Sequence, residues 1–242
     1  MNDKQIAIKS ENLVKKFGNF VANDHLTFEV AQGEIFGFLG ANGAGKTTAI
    51  KILCGISKPT SGNIRVAGFD VYTENEKIKK NIGYMSQRFS LYEELSIWEN
   101  LRFYGGIYGL SAKTIRERSE AVLKRLGLED QRNAHVRSLP LGWKQKLAFS
   151  VAILHRPGIV FLDEPTGGVD PITRRQFWDL IYEAAADGIT VFVTTHYMDE
   201  AEYCQRVSIM VDGRIVALDK PTALKNTYSC KSMEEVFLKL AR

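Results

Sequence analysis

A glycine-rich loop that directly follows an apolar run constrains this chain more than any other feature. The run covers residues 34–39, and the loop reads G-x-x-x-x-G-K-T over residues 40–47. A strand that leads into such a loop and then into a helix forms a phosphate cradle, because backbone N–H groups and the positive end of the helix dipole converge there. The sequence therefore predicts an α/β core that binds a nucleotide.

Each part of the loop has an expected contact with the nucleotide. Lys46 is expected to reach the β- and γ-phosphates, and the Thr47 hydroxyl to ligate Mg²⁺. A turn that binds nothing and a dinucleotide loop are the alternatives, but a dinucleotide loop lacks the Lys-Thr pair and spaces its glycines differently. The predicted nucleotide contacts from this loop are Gly40, Asn42, Gly43, Ala44, Gly45, Lys46, Thr47 and Thr48.

Composition indicates an ordinary globular protein. The chain has 242 residues, of which 45% are hydrophobic and 25% charged, enough for one large domain or two closely packed ones. No internal repeat or low-complexity linker is visible, so residues 1–242 are expected to form a single domain, which the phosphate loop predicts to bind a nucleotide. The net charge of +4 is spread without a long basic block, so no nucleic-acid partner is expected. Three widely separated cysteines fit a reducing compartment, and no apolar run reaches bilayer length. These features predict a cytoplasmic chain.

Hydrophobic patterns predict two groups of strands with helices between them. Alternating residues at 6–8, 26–30 and 62–68 indicate an antiparallel layer, and continuous apolar runs at 34–39, 158–163, 190–194 and 207–211 indicate buried parallel strands. Residues 90–155 are predicted to be an inserted helical subdomain, with one helix starting at Ser111 and stopping at Gly127. Residues 221–242 are expected to form a C-terminal tail.

Two acidic residues end one of the predicted parallel strands. Asp163 and Glu164 follow four apolar residues, and parallel strands deliver their carboxyl ends to the ligand-binding edge of a sheet. Asp163 is expected to hold Mg²⁺ through water, and Glu164 to orient or deprotonate the water that attacks the γ-phosphate. Alone, such a pair is more often a solvated loop or a helix cap, but the phosphate loop favours the catalytic interpretation.

Nearly the whole chain resembles the ATPase subunit of an ATP-binding cassette (ABC) transporter. The resemblance is carried by the order and spacing of K-K-F-G-N at 15–19, the phosphate loop, I-G-Y-M-S-Q at 82–87, the acidic pair, G-V-D-P at 168–171 and T-T-H at 194–196. It implies an α/β fold with a RecA-like P-loop NTPase core, an N-terminal antiparallel β subdomain and an inserted helical subdomain. ATP and Mg²⁺ are the implied cofactors.

The resemblance also implies roles for residues that their own chemistry leaves open. Phe17 would stack on adenine, Gln87 would link Mg²⁺ and water to the helical subdomain, and His196 would contact the γ-phosphate. Residues 168–171 would touch a second nucleotide-binding subunit. In this family, Glu164, His196, Gln87 and Lys46 would be the catalytic set, and Thr47, Gln87 and Asp163 would bind the metal.

Stretches at 91–104, 196–202 and 233–240 resemble the subclass that pairs with ABC-2-type export permeases. This implies a separate integral membrane permease and a peripheral position on the inner face of the cell membrane. A soluble ABC ATPase that is not tied to a permease is the alternative. Phe89, Leu91, Tyr92 and Trp98 would supply an apolar groove for the permease, or would pack the core of the helical subdomain.

The chain departs from the family at the signature L-S-G-G-Q, where residues 139–145 read L-P-L-G-W-K-Q. Pro140 has neither a hydroxyl nor an N–H, and Leu141 is bulky where close backbone approach is wanted. Gly142 is expected to donate in trans to the nucleotide held by the partner subunit. The departure suggests pairing with a non-identical ATPase whose signature is intact, and a homodimer with two altered sites is the rival hypothesis.

Overall fold

The computed structural model describes residues 5–241, which fold into two β-sheets surrounded by helices. The strands are β1 (Ile6–Phe17), β2 (Phe20–Ala31), β3 (Ile35–Gly40), β4 (Ser61–Val66), β5 (Phe69–Asp70), β6 (Ile82–Met85), β7 (Ile159–Asp163), β8 (Thr190–Thr195), β9 (Arg206–Val211) and β10 (Arg214–Asp219). The helices are α1 (Lys46–Leu53), α2 (Asn75–Asn81), α3 (Ile97–Ile107), α4 (Ala112–Leu126), α5 (Leu141–Ala152), α6 (Pro171–Ala186), α7 (Pro221–Thr227) and α8 (Met233–Leu240).

The smaller sheet is antiparallel and has the strand order β2-β1-β4-β5. Its strands alternate between buried and exposed residues, as expected for a sheet with one face on the core. The predicted antiparallel layer at 6–8, 26–30 and 62–68 is therefore confirmed. Helix α1 packs between this sheet and the larger one, so the start of α1 is held from both sides.

The larger sheet has the strand order β10-β9-β3-β8-β7-β6 and is parallel except for β10. All four predicted parallel strands are present as β3, β7, β8 and β9. Because parallel strands end at the same edge, the loops after β3, β6, β7 and β8 meet there. These four loops carry Lys46, Gln87, Glu164 and His196, which is how the fold assembles the site.

Between β6 and β7 the chain forms α3, α4, α5 and two short 3₁₀ turns, Glu129–Gln131 and Val136–Ser138. The Ser111 hydroxyl caps α4 by accepting from the Thr114 N–H, and Gly127 ends it at φ 64°, so both predicted ends are confirmed. That residues 90–155 form a separate subdomain stays a prediction.

The C-terminal segment forms α7 and α8. Met233 and Val236 of α8 are buried against the third 3₁₀ turn, Met198–Tyr203. Across residues 5–241, no helix combines the length and the apolarity that a bilayer crossing would need.

Candidate nucleotide-binding and hydrolytic site

The phosphate loop is held in place by β2. Gly45 adopts φ 99°, and a Cβ there would lie 2.2 Å from the Ala22 carbonyl oxygen. Only glycine fits this position, since both the backbone angle and the space exclude a side chain. The Asn23 amide, fully buried, donates to the Gly45 carbonyl at 3.1 Å. Sequence reasoning missed Asn23, because the contact joins residues that no motif links.

Lys46, the first residue of α1, is buried within the phosphate loop. Its Nζ donates to the carbonyl oxygens of Gly40 at 2.8 Å and Ala41 at 3.0 Å, and it lies 3.3 Å from Glu164 Oε1. Burial lowers the pKa of Lys46 below its usual range, and the Glu164 carboxylate opposes that shift. The Lys46 Nζ thus lies beside the loop, close to the predicted phosphate position.

Asp163 is the centre of a small oxygen cluster. Its Oδ1 accepts from the Thr47 hydroxyl at 3.2 Å and from the Thr194 hydroxyl at 2.7 Å. Thr47 and Asp163 together offer the hard oxygen donors that Mg²⁺ prefers. No group of three or more His, Cys, Asp and Glu residues suited to a metal occurs in residues 5–241. An Mg²⁺ site does not need one when phosphate oxygens and water complete it.

Three of the predicted functional side chains contact the Glu164 carboxylate. Gln87 Nε2 donates to Glu164 Oε2 at 3.0 Å, His196 Nδ1 lies 3.0 Å from the same oxygen, and Lys46 faces the other oxygen. Glu164 has a φ of 51°, in the left-handed region that costs a non-glycine residue energy. Its N–H is held by the Thr194 carbonyl and hydroxyl, both at 3.1 Å. Thr194 thus supports both acids, a role that sequence reasoning missed.

A cavity of about 280 Å³ opens beside the loop. It is lined by Phe20, Ala22, Asn42, Gly43, Gly45, Lys46, Thr47, Thr48, Gln87 and Glu164. Of the remaining predicted loop contacts, the Ala44 side chain packs into the core, and Gly40 packs closely on the Met210 carbonyl.

Two exposed aromatic rings lie on the β1–β2 hairpin, and one of them lines this cavity. Phe17, predicted to stack on adenine, is 56% exposed and is not among the lining residues, whereas Phe20, its cross-strand partner, is 63% exposed and lines the cavity. The Lys15 ammonium lies 4.9 Å from the centre of the Phe17 ring. Phe20 is a second aromatic candidate that sequence reasoning missed.

The start of α5 carries the altered signature. The Pro140 carbonyl accepts from the N–H groups of both Trp143 and Lys144 at 3.0 Å, so the Trp143 N–H is already engaged. Leu141 and Gly142 belong to the first helical turn, whose N–H groups have no preceding helical carbonyl to bond. Gly142 does not line the phosphate-loop cavity of its own chain.

Residues 168–171 form the approach to α6. Asp170 caps this helix, since its Oδ1 accepts from the N–H groups of Ile172 and Thr173 at 3.0 Å, and Pro171 occupies the first helical position. Gly142 lies against this cap, because a Cβ on it would come within 2.3 Å of Thr173 Cγ2. The signature helix and this approach are therefore packed together within one chain.

Comparison with known proteins decides the family. The family model described as ABC transporter matches residues 23–167. The chain belongs to the ABC transporter family. It is 44% identical over 241 residues to the probable multidrug ABC transporter ATP-binding protein YbhF of Escherichia coli (strain K12), covering 98% of this chain and 42% of that protein. The chain thus spans less than half the length of YbhF.

A shorter relative and a solved structure agree with this assignment. The chain is 36% identical over 221 residues to the Nod factor export ATP-binding protein I of Paraburkholderia xenovorans (strain LB400), covering 91% of this chain and 73% of that one. It also matches the dimeric post-hydrolysis structure of the ATP-binding cassette MJ0796 bound to ADP and Pi. That match has a TM-score of 0.79 and 27% identity, and it covers 88% of this chain and 98% of the other. The expected P-loop NTPase fold is confirmed.

Proposed function

We propose that this ABC-family chain binds ATP with Mg²⁺, hydrolyses it, and couples the cycle to export through a separate integral membrane permease of the ABC-2 type. The observation that carries the proposal is the convergence of Lys46, Gln87 and His196 on the Glu164 carboxylate beside the phosphate loop. The ADP and Pi held by MJ0796 support hydrolysis, and the export named for the Nod factor relative supports the direction.

The buried side chains supply the parts that phosphoryl transfer to water requires. The Lys46 ammonium neutralises charge on the β- and γ-phosphates, and Glu164 orients the attacking water and accepts its proton. Gln87 and His196 hold Glu164 Oε2, which fixes the direction of that carboxylate. Thr47, Asp163 and Gln87 would hold Mg²⁺, which when bound neutralises charge between the two phosphates.

A second nucleotide-binding subunit belongs to the proposal. The first turn of α5 offers the N–H groups of Leu141 and Gly142 and the positive end of a helix to a partner's nucleotide. Pro140 withholds the hydroxyl and N–H that a serine would give there, and losing one aligned donor costs about a hundredfold in rate. We therefore favour a non-identical partner with an intact signature over a homodimer.

An exposed apolar patch on α3 and the loop before it supports docking to a permease. Tyr92, Phe103 and Ile107 are 51%, 42% and 62% exposed, and the Tyr92 and Phe103 rings meet edge to face with centres 5.0 Å apart. Of the residues expected to form the groove, Leu91 is buried in the core, whereas Tyr92 belongs to this patch. Contact with a permease would hold the chain on the inner face of the membrane.

Copurification and hydrolysis together test the function. We expect the chain to sediment with membranes when a permease is co-expressed, to be released when the permease is absent, and to release phosphate from ATP. Replacing Tyr92 and Phe103 with Ser should abolish sedimentation without abolishing nucleotide binding. Hydrolysis with no permease-dependent sedimentation would instead identify a soluble ABC ATPase, and absence of both would overturn the proposal.

A further inference from the structure

Gln145, one turn into α5, contacts the loop that carries Glu164. Its side chain is 9% exposed, and its Nε2 donates to the Gly167 carbonyl at 3.0 Å. The Gly167 N–H in turn donates to the Glu164 carbonyl at 3.2 Å, which closes the turn from 164 to 167. Helix α5, which begins with the altered signature, therefore holds the Gly167 end of a turn whose other end is Glu164, the residue with the proposed hydrolytic carboxylate.

Packing around Gln145 makes this contact stiff. Gly142 lies against Thr173, and Leu141 Cδ2 lies 3.5 Å from where a Cβ on Gly168 would stand. Together with Gln145, these contacts fix the first two turns of α5 to residues 167–173. A shift of the start of α5 must therefore move the Gly167 carbonyl with it.

Three further features indicate a functional rather than a stabilising role. Gln145 Oε1 is buried with no hydrogen-bond partner in residues 5–241, which costs free energy that a hydrophobic side chain would not cost. Glu164 at φ 51° is strained, so its position depends on the groups that hold its turn. Gln145 and Glu164 also line one shared cavity of about 340 Å³, together with Gln87 and His196.

We infer that Gln145 is a positioning residue that couples the two nucleotide sites of the dimer. The start of α5 meets the partner's nucleotide, and Gln145 passes its position through the 164–167 turn to the Glu164 that acts on this chain's own ATP. This inference rests on the proposed function, because it requires a signature helix that engages a second subunit.

The test compares two Gln145 variants in the dimer that this chain forms. Gln145→Met keeps the length and lacks the donor, and Gln145→Glu places a carboxylate against the Gly167 carbonyl. We expect kcat to fall about tenfold in Gln145→Met and further in Gln145→Glu, with KM for ATP and the melting temperature nearly unchanged. As pH falls, the Gln145→Glu rate relative to wild type should rise, because a protonated carboxyl can donate again. Gln176→Leu is the matched control, because it removes a different hydrogen bond between α5 and α6, the one that Lys146 donates, and leaves the Gln145–Gly167 contact in place.

A double-mutant comparison separates positioning from general packing. In a Glu164→Gln background, Gln145→Met should change the residual rate by less than twofold, because its effect passes through the carboxylate. A full tenfold loss in that background, or unchanged kcat in both Gln145 variants, would overturn the inference. If Gln145→Met fails to fold, the pH dependence of Gln145→Glu still decides it. A wild-type dimer without ATP hydrolysis would instead overturn the proposed function.

Discussion

The loops at the carboxyl edge of the large sheet and the start of α5 differ in how complete their chemistry is. Within one chain, a lysine, a glutamine and a histidine contact the Glu164 carboxylate, and two threonine hydroxyls donate to the neighbouring Asp163. At the start of α5, Pro140 removes one donor and its carbonyl engages the Trp143 N–H. One half of the proposed site is thus assembled in cis, whereas the other half would offer only backbone N–H groups to the proposed partner.

This difference separates the residues that one chain positions by itself from those that would act only when a second subunit binds. Residues that act in cis are interlocked by buried contacts, so one change disturbs several of them. In the proposed dimer the signature acts on another subunit, so we expect a change in its donors to cost this chain little stability.

Lys46→Ala tests the half that is assembled in cis. We expect at least about a hundredfold loss in the rate of ATP hydrolysis, together with weaker nucleotide binding, because the variant removes the cation that faces the phosphates. Lys51→Ala, an exposed change on the same helix, should leave both unchanged. Stopped-flow phosphate release and calorimetry measure the two effects, and equal losses in both variants would contradict the assignment.

Pro140→Ser tests the half that acts in trans. The chain alone should hydrolyse ATP slowly, and the substitution should raise its rate about tenfold, because a serine supplies a hydroxyl and an N–H to the facing nucleotide. Steady-state rates of the two proteins provide the comparison. Brisk, cooperative turnover by the wild-type chain without a second ATPase would count against pairing with a non-identical subunit.

Gly142→Ala tests the packing that joins the two halves. The new methyl group would lie 2.3 Å from Thr173 Cγ2, so α5 or α6 must shift. We expect a several-fold loss of hydrolysis, which Thr173→Ser should restore by removing Cγ2 while keeping the hydroxyl that donates to Asp170. Failure of that rescue, with the fold intact by circular dichroism, would show that Gly142 matters for another reason.

A pH titration of stability gives the smallest effect. The His155 ring stacks on Tyr108 with centres 3.6 Å apart and hydrogen-bonds the Ile82 carbonyl, and burial lowers the pKa of His155 to about 4 from 6.5. Because the unfolded chain takes up this proton first, stability should fall as pH drops from 6.5 towards 4. Urea unfolding measures this slope, which His155→Gln should flatten. An unchanged slope in His155→Gln would contradict a contribution of His155 to the pH dependence of stability.

The sequence predicted the elements whose local pattern is complete. Continuous apolar runs located β3, β7, β8 and β9, whereas β6 and β10 were not predicted as parallel-sheet strands, although each contains four consecutive apolar residues. The phosphate loop and the acidic pair were likewise readable from adjacent residues. Gln87 and His196 depended on the resemblance to the ABC family.

Three supporting residues escaped prediction because their partners are distant in sequence. Asn23 meets Gly45, Thr194 meets Asp163, and Gln145 meets Gly167, and each pair is brought together only by the tertiary fold. Asn23 belongs to no motif, and the motifs that contain Thr194 and Gln145 do not show which loop each residue positions.

Glu164→Gln replaces the proposed hydrolytic carboxylate with an amide of the same size. We predict that the variant retains Mg·ATP binding in calorimetry but releases phosphate about a hundredfold or more slowly than wild type, because an amide cannot accept the proton of the attacking water. An unchanged rate of phosphate release, or no nucleotide binding by the wild-type chain, would contradict the account.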